Sequence, residues 1–322
     1  MFLICKTNKI TMLKNFFTLI IFLTTLTSIA QEKRFIPLEV SVDKFTTGTL
    51  LAPENNETVP LVIIIQGSGP TDRNGNQTFF KNDASKQLAE KLAENNIASY
   101  RYDKRIFKMQ ELGIKEKDMR FDDFITDAVS ILNFFKDQKR FSEIIIAGHS
   151  EGSLIGMIAA QSGADAFISI AGAGEKIHQV VLAQLEKQVP GLRSNAEKAF
   201  EEMIQNGSTS SYNPALETVF RPSVQPYMLS WMHYDPAVEI AKLDIPVLLL
   251  NGTKDLQIPE KQAEILKEAK PDATLVIIEK MNHVMKIVEG DDIENAKTYN
   301  EPMRPIATEL VEEIIDFVKN LE

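Results

Sequence analysis

At residues 148–152 the chain reads Gly-His-Ser-Glu-Gly, directly after the apolar run Ile144-Ile145-Ile146-Ala147. A serine hydroxyl is a weak nucleophile. To attack a carbonyl it needs a base in reach, a group that orients the base, and donors for the oxyanion that develops. The pattern G-x-S-x-G supplies the nucleophile when it sits on a tight strand-to-helix turn, where Gly148 and Gly152 remove the bulk that would block the turn. The apolar run before it and the helical run 153–163 after it are that context, so Ser150 is the candidate nucleophile. A plain structural turn is the competing reading, and the pentapeptide by itself does not exclude it.

The base follows by elimination. The chain has four histidines, His149, His178, His233 and His283. His149 adjoins the serine and should project elsewhere, while His178 and His233 fall in a stretch without strands. Folds built on this elbow carry the acid and then the base later in the chain, and only His283 follows a late apolar run, Thr274-Leu275-Val276-Ile277-Ile278. The acid should lie between them at a strand end. Asp255 stands five residues past Leu250, in a loop closed by Pro259. Asp235 and Asp244 precede that strand, Asp272 is on the wrong side of the next, and Asp291 and Asp292 come after His283. Asp255 would hold the tautomer of His283 and stabilise its imidazolium. The two oxyanion donors should be backbone N–H groups, one from Glu151 after the nucleophile and one from the glycine loop 66–76, for which Ser68 is the candidate.

These residues need a sheet to hold them. From about Phe45 short apolar runs alternate with amphipathic ones: strand 61–67, helix 83–96, strand 97–103, helix 122–138, strand 143–148, helix 153–163 and strand 166–174. The unbroken Ile/Val content of these strands points to burial on both faces, and the βαβα order to a parallel sheet with helices on both sides. The rhythm stops at Gly174. Residues 175 to about 240 show helical stretches and no convincing strand, and the rhythm resumes with strand 245–251, a helix near Glu260–Ala269, strand 274–280 and a final helix after Pro305. The expected fold is therefore α/β, a mostly parallel sheet with a helical insertion before its last two strands.

With those pieces in order, the chain resembles the serine hydrolases of the α/β-hydrolase superfamily, and looks most like bacterial exported esterases. The motifs "QGSGPTDRNGN", "YRYDKR", "GHSEG", "NGTKD" and "NH" occur in that sequence, and "RPSVQPYMLSWMHYDP" closes the insertion. The resemblance implies the triad Ser150, Asp255 and His283, a helical cap at about 175–240, a small-molecule ester as substrate, and no metal or cofactor. Tyr212, Met228, Trp231 and Met232 of the cap are candidates to line an acyl or alcohol pocket; their plain reading is cap core. Two departures stand out: the family pattern has Gly after Tyr-Asp-Lys-Arg where Ile106-Phe107-Lys108 follow here, and Gln66-Gly67 replaces a common His-Gly. The Arg101–Arg105 stretch reads as ion pairs that hold loops. A peptidase or an acyltransferase could use the same triad, and a non-catalytic binding module is a further alternative.

Composition bounds the rest. The formal net charge is −10 over 322 residues, with no basic stripe, which argues against a nucleic-acid partner. Lys6, Lys9 and Lys14 precede the apolar stretch 16–30, which ends in small residues at Ser28 and Ala30, the layout of a secretory signal cut after Ala30. Met12 is an alternative start. Residues 31–322 would then be the hydrolase domain, exported to the periplasm or medium, without stable membrane association. Cleavage also removes Cys5, the only cysteine, so no disulfide or thiolate chemistry is expected. Intact mass and N-terminal sequencing of the exported chain should give a first residue of Gln31; a chain that keeps residues 16–30 would overturn the cleavage.

Overall fold

The computed structural model describes residues 34–54 and 57–321; the expected signal segment lies outside them. Eight strands form one sheet in the order β1-β2-β4-β3-β5-β6-β7-β8. They are β1 (Phe35–Ser41), β2 (Thr47–Pro53), β3 (Leu61–Ile65), β4 (Ala98–Asp103), β5 (Ile144–His149), β6 (Ala166–Ile170), β7 (Val247–Gly252) and β8 (Thr274–Ile278). From β4 to β8 all pairings are parallel, whereas β1–β2 and β2–β4 are antiparallel. Helices α1 (Ala84–Glu94), α3 (Phe121–Gln138), α4 (Glu151–Ala160), α10 (Glu260–Ala269) and α12 (Thr308–Lys319) connect or close the strands, and α2 (Met109–Leu112) and α11 (Asp292–Thr298) are short.

The β-branched runs are buried on both faces because alternate residues enter different cores. Leu61, Ile63 and Ile65 of β3 join a cluster with α3 and α4, while Val62 and Ile64 join one with α1 and α12. The two antiparallel strands at the start went unseen in the sequence. Strand β1 carries Pro37, lies at the sheet edge and is largely exposed, so it lacks the buried signature of the parallel strands.

Chain order reverses around β3. The chain passes from β3 to β4 on one side and returns to β5 on the other, in parallel register with Ile65 opposite Gly148. A crevice opens beyond the carboxyl ends of strands at such a switch point. Between β6 and β7 come five α-helices and, among the described residues, no strand: α5 (Ile177–Gln188), α6 (Pro190–Asn206), α7 (Glu217–Phe220), α8 (Gln225–Met232) and α9 (Pro236–Ile240). They are anchored to the start of α3, where Trp231 stacks on Phe121 at 5.2 Å and Ser230 Oγ accepts from the Phe121 N–H at 2.8 Å. Arg221 and Ser223 further bind the Glu116 carboxylate.

At the elbow, α4 packs hard against β3 and β5. A Cβ on Gly148 would overlap the Gly152 carbonyl oxygen, and one on Gly152 would overlap that of Ile65. Backbone atoms are the obstacle, so no side chain can swing aside. Gly148→Ala or Gly152→Ala should each cost about 3 kcal/mol, read from denaturant unfolding; a loss below about 1 kcal/mol would contradict this packing.

Candidate active site

Ser150 occupies the turn between β5 and α4 with φ 55° and ψ −119°. A non-glycine residue in this region is strained by about 1–3 kcal/mol and persists only where its surroundings enforce it. Here the Ser150 N–H donates to Ile170 O at 2.9 Å, continuing the ladder to β6, and Ser150 O accepts from the Ser153 N–H. The loop after β3 lies alongside: a Cβ on Gly67 would be 3.2 Å from Ser150 Cβ.

Asp255 and His283 meet in the loops after β7 and β8. His283 Nδ1 lies 2.7 Å from Asp255 Oδ2, with both side chains buried. The other carboxylate oxygen, Oδ1, accepts the N–H groups of Gln257 and Ile258, each at 2.8 Å. Backbone donors thus fix the carboxylate, and the carboxylate fixes the imidazole. The loop bearing His283 is itself pinned. Asn282 donates to Asn295 and Thr298, and Lys286 Nζ donates to the carbonyls of Asn82, Glu301 and Arg304.

Ser150 and His283 line one cavity together with Gln66, Gly67, Ser68 and His149. Ser150 also opens onto a second cavity of about 360 Å³, shared with Ser68, Lys104 and Glu151. Its walls are mainly apolar and include Met119, Phe124, Leu154, Val180, Met228 and Trp231. Met228 and Trp231, three residues apart on α8, therefore face it. Tyr212 and Met232 are corrections to the sequence-based expectation, because neither borders the cavity. Met232 turns into the hydrophobic core, and Tyr212 packs on Phe220 with its hydroxyl donated to Glu217. Ile106 and Met109 also line the cavity, so the segment that replaces the family's glycine supplies wall rather than a bare turn. Gln66, in place of the common histidine, is buried and accepts from Ser85 Oγ, which ties the glycine loop to α1.

The parts played by two residues beside Ser150 and His283 escaped sequence reasoning. His149 lines the same cavity as Ser150 and acts as a prop: its Nε2 donates to the His283 carbonyl at 2.7 Å. Lys104 makes a buried ion pair with Glu151 at 2.7 Å, while its neighbours Asp103 and Arg105 pair with Arg73 and with Asp123 and Asp127. The charge density of Arg101-Tyr102-Asp103-Lys104-Arg105 was a visible signal, but nothing in the sequence distinguished Lys104 from its neighbours.

A profile of the family described as serine aminopeptidase, S33, matches residues 82–289, more than half of the chain. The chain belongs to this family. Esterase EstD of Thermotoga maritima is 30% identical over 251 residues, which cover 76% of this chain and 58% of that protein. This family member thus spans little more than half the length of that relative. Among solved structures, Est1E from Butyrivibrio proteoclasticus is 18% identical with a TM-score of 0.57, covering 88% of this chain and 99% of that one. A dienelactone hydrolase from Anabaena variabilis is 14% identical with a TM-score of 0.52, covering 90% and 99%. These likenesses establish the α/β-hydrolase fold for this family member.

Burial and the adjacent His283 push the His149 imidazole down to about 4 from its ordinary 6.5. Between those values the unfolded chain takes a proton that the native protein refuses. The contribution of neutral His149 to stability is therefore complete above pH 6.5 and is lost as pH falls toward 4. The gap in Tm between the native protein and His149→Gln should narrow across that window; a constant gap would refute the linkage.

Proposed function

We propose that this family member is an exported carboxylic ester hydrolase that works through Ser150, His283 and Asp255. The observation that carries the reading is the shared cavity of Ser150 and His283, with Asp255 bound to the far nitrogen of the imidazole. In this reaction Ser150 Oγ attacks the ester carbonyl carbon and passes its proton to His283 Nε2. The tetrahedral oxyanion is held by the N–H groups of Ser68 and Glu151. Collapse expels the alcohol, which takes the proton from His283 and leaves an acyl-serine. Water then gives a proton to His283 and attacks the acyl group; a second collapse frees the acid and restores Ser150.

Ester is favoured over amide by the 30% identity to a protein named an esterase and by the apolar cavity, which suits a hydrophobic acyl or alcohol group. An aminopeptidase must also hold a substrate ammonium; of three carboxylates at the cavity, Glu116 and Glu151 are committed to Arg221 and Lys104, and Glu175, which accepts from Gln262 Nε2, is the one without such a cation. The family description keeps the peptidase as the second reading. Export rests on the lysines and apolar stretch of residues 1–30.

A fluorophosphonate should label the native protein on Ser150 and leave Ser150→Ala unlabelled; that substitution should lower ester kcat by at least about 10⁴-fold. No label on the native protein would sink the reading. A panel of nitrophenyl esters against aminoacyl anilides separates the two activities, and faster anilide turnover would make the protein a peptidase.

A further inference from the structure

We propose that Lys104 is a positioning residue for the oxyanion hole, gripping both of its halves. The proposal rests on the serine-hydrolase reading above. Lys104 Nζ donates to the Gly67 carbonyl at 2.9 Å and to Glu151 Oε1 at 2.7 Å. The Lys104 and Glu151 side chains are 3% and 1% exposed, and the ammonium also sits 4.6 Å from the centre of the Phe124 ring.

The geometry matters because of which peptide is gripped. The Gly67 carbonyl and the Ser68 N–H are opposite ends of one planar amide. A cation on the oxygen fixes that plane and draws charge toward the oxygen, which strengthens the N–H as a donor. Ser68 O is held from the other side by Thr71 Oγ1 and Gln77 Nε2, so the peptides on either side of Ser68 are both anchored. The second oxyanion donor is the backbone of Glu151, whose own carboxylate is bound to the same ammonium. One charge thus sets the separation of two donors that follow different strands, β3 and β5.

Tyr227 of α8 lines the same cavity, where burial, with the Glu151 carboxylate nearby, drives its pKa well up. Stability alone is a poor account of the arrangement, because a buried ion pair gains little over apolar residues of the same volume. The neighbouring Asp103 and Arg105 make their pairs away from the cavity, and among these three residues only Lys104 lines it.

The test is steady-state kinetics on a nitrophenyl ester with the double variant Lys104→Met/Glu151→Gln, which removes both charges and leaves no lone buried ion. Since loss of an oxyanion donor costs about 10²–10³ in kcat, misplacing one should lower kcat about 10- to 100-fold. KM should stay within about twofold, and the affinity for a phenylboronic acid, which forms a tetrahedral adduct on the serine, should fall by the same factor as kcat. Lys104→Arg, which keeps a buried cation, provides a second variant; kcat should again fall at unchanged KM, by less. Circular dichroism establishes which variants are folded. A folded variant with native kcat, or one whose loss lies in KM alone, would overturn the proposal. A native protein that takes no fluorophosphonate would overturn the hydrolase reading, and this proposal with it, so the two failures are distinguishable.

Discussion

The turn at Ser150 is the constraint from which the rest follows. A residue with a side chain is held at φ 55° between a central strand and a buried helix. The turn is tight because α4 approaches β3 and β5 so closely that neither Gly148 nor Gly152 has room for a Cβ. The strain at one residue is small beside the apolar burial around it: Ile145, Ile146 and Ala147 before the turn and Ile155, Met157 and Ala159 after it are wholly enclosed. The sheet core therefore forces the strain, and the strained residue is the one raised into the crevice.

Everything else in the site is brought to that point by loops, and loops are precise only when their polar groups are tied down. Asp255 is tied by two backbone amides, and the His283 loop by His149, Asn282 and Lys286. The glycine loop is tied by Gln66, Thr71, Gln77 and Lys104. Each tie uses a buried or partly buried hydrogen bond, which is costly to break because water does not readily replace it. Three loops, after β3, β7 and β8, are thus tied into one rim around Ser150.

Much of this rim was legible in the sequence. The parallel strands announced themselves because burial on both faces leaves an unbroken apolar run, and the serine, aspartate and histidine each follow such a run. Edge strand β1 was not legible, because an exposed strand containing Pro37 carries no such run. Short α11, with Asp291 capping the N–H groups of Ile293 and Glu294, also passed unseen. The cap was read as helical, but the phase of its helices was not: Met228 and Trp231 face the cavity and Met232 does not, a matter of how α8 rests on Phe121 and Phe124.

Local chemistry and chain order were enough to nominate Ser150, Asp255 and His283, since only one late histidine and one well-placed aspartate follow Ser150 in the chain. Those are properties of residue type and spacing, which a linear reading contains. The ion pair of Lys104 with Glu151, the support of His283 by His149 and the identity of the cavity walls belong to the tertiary structure alone. They join residues from different strands through burial, and which of several neighbouring charges turns inward depends on the space that the packed helices leave.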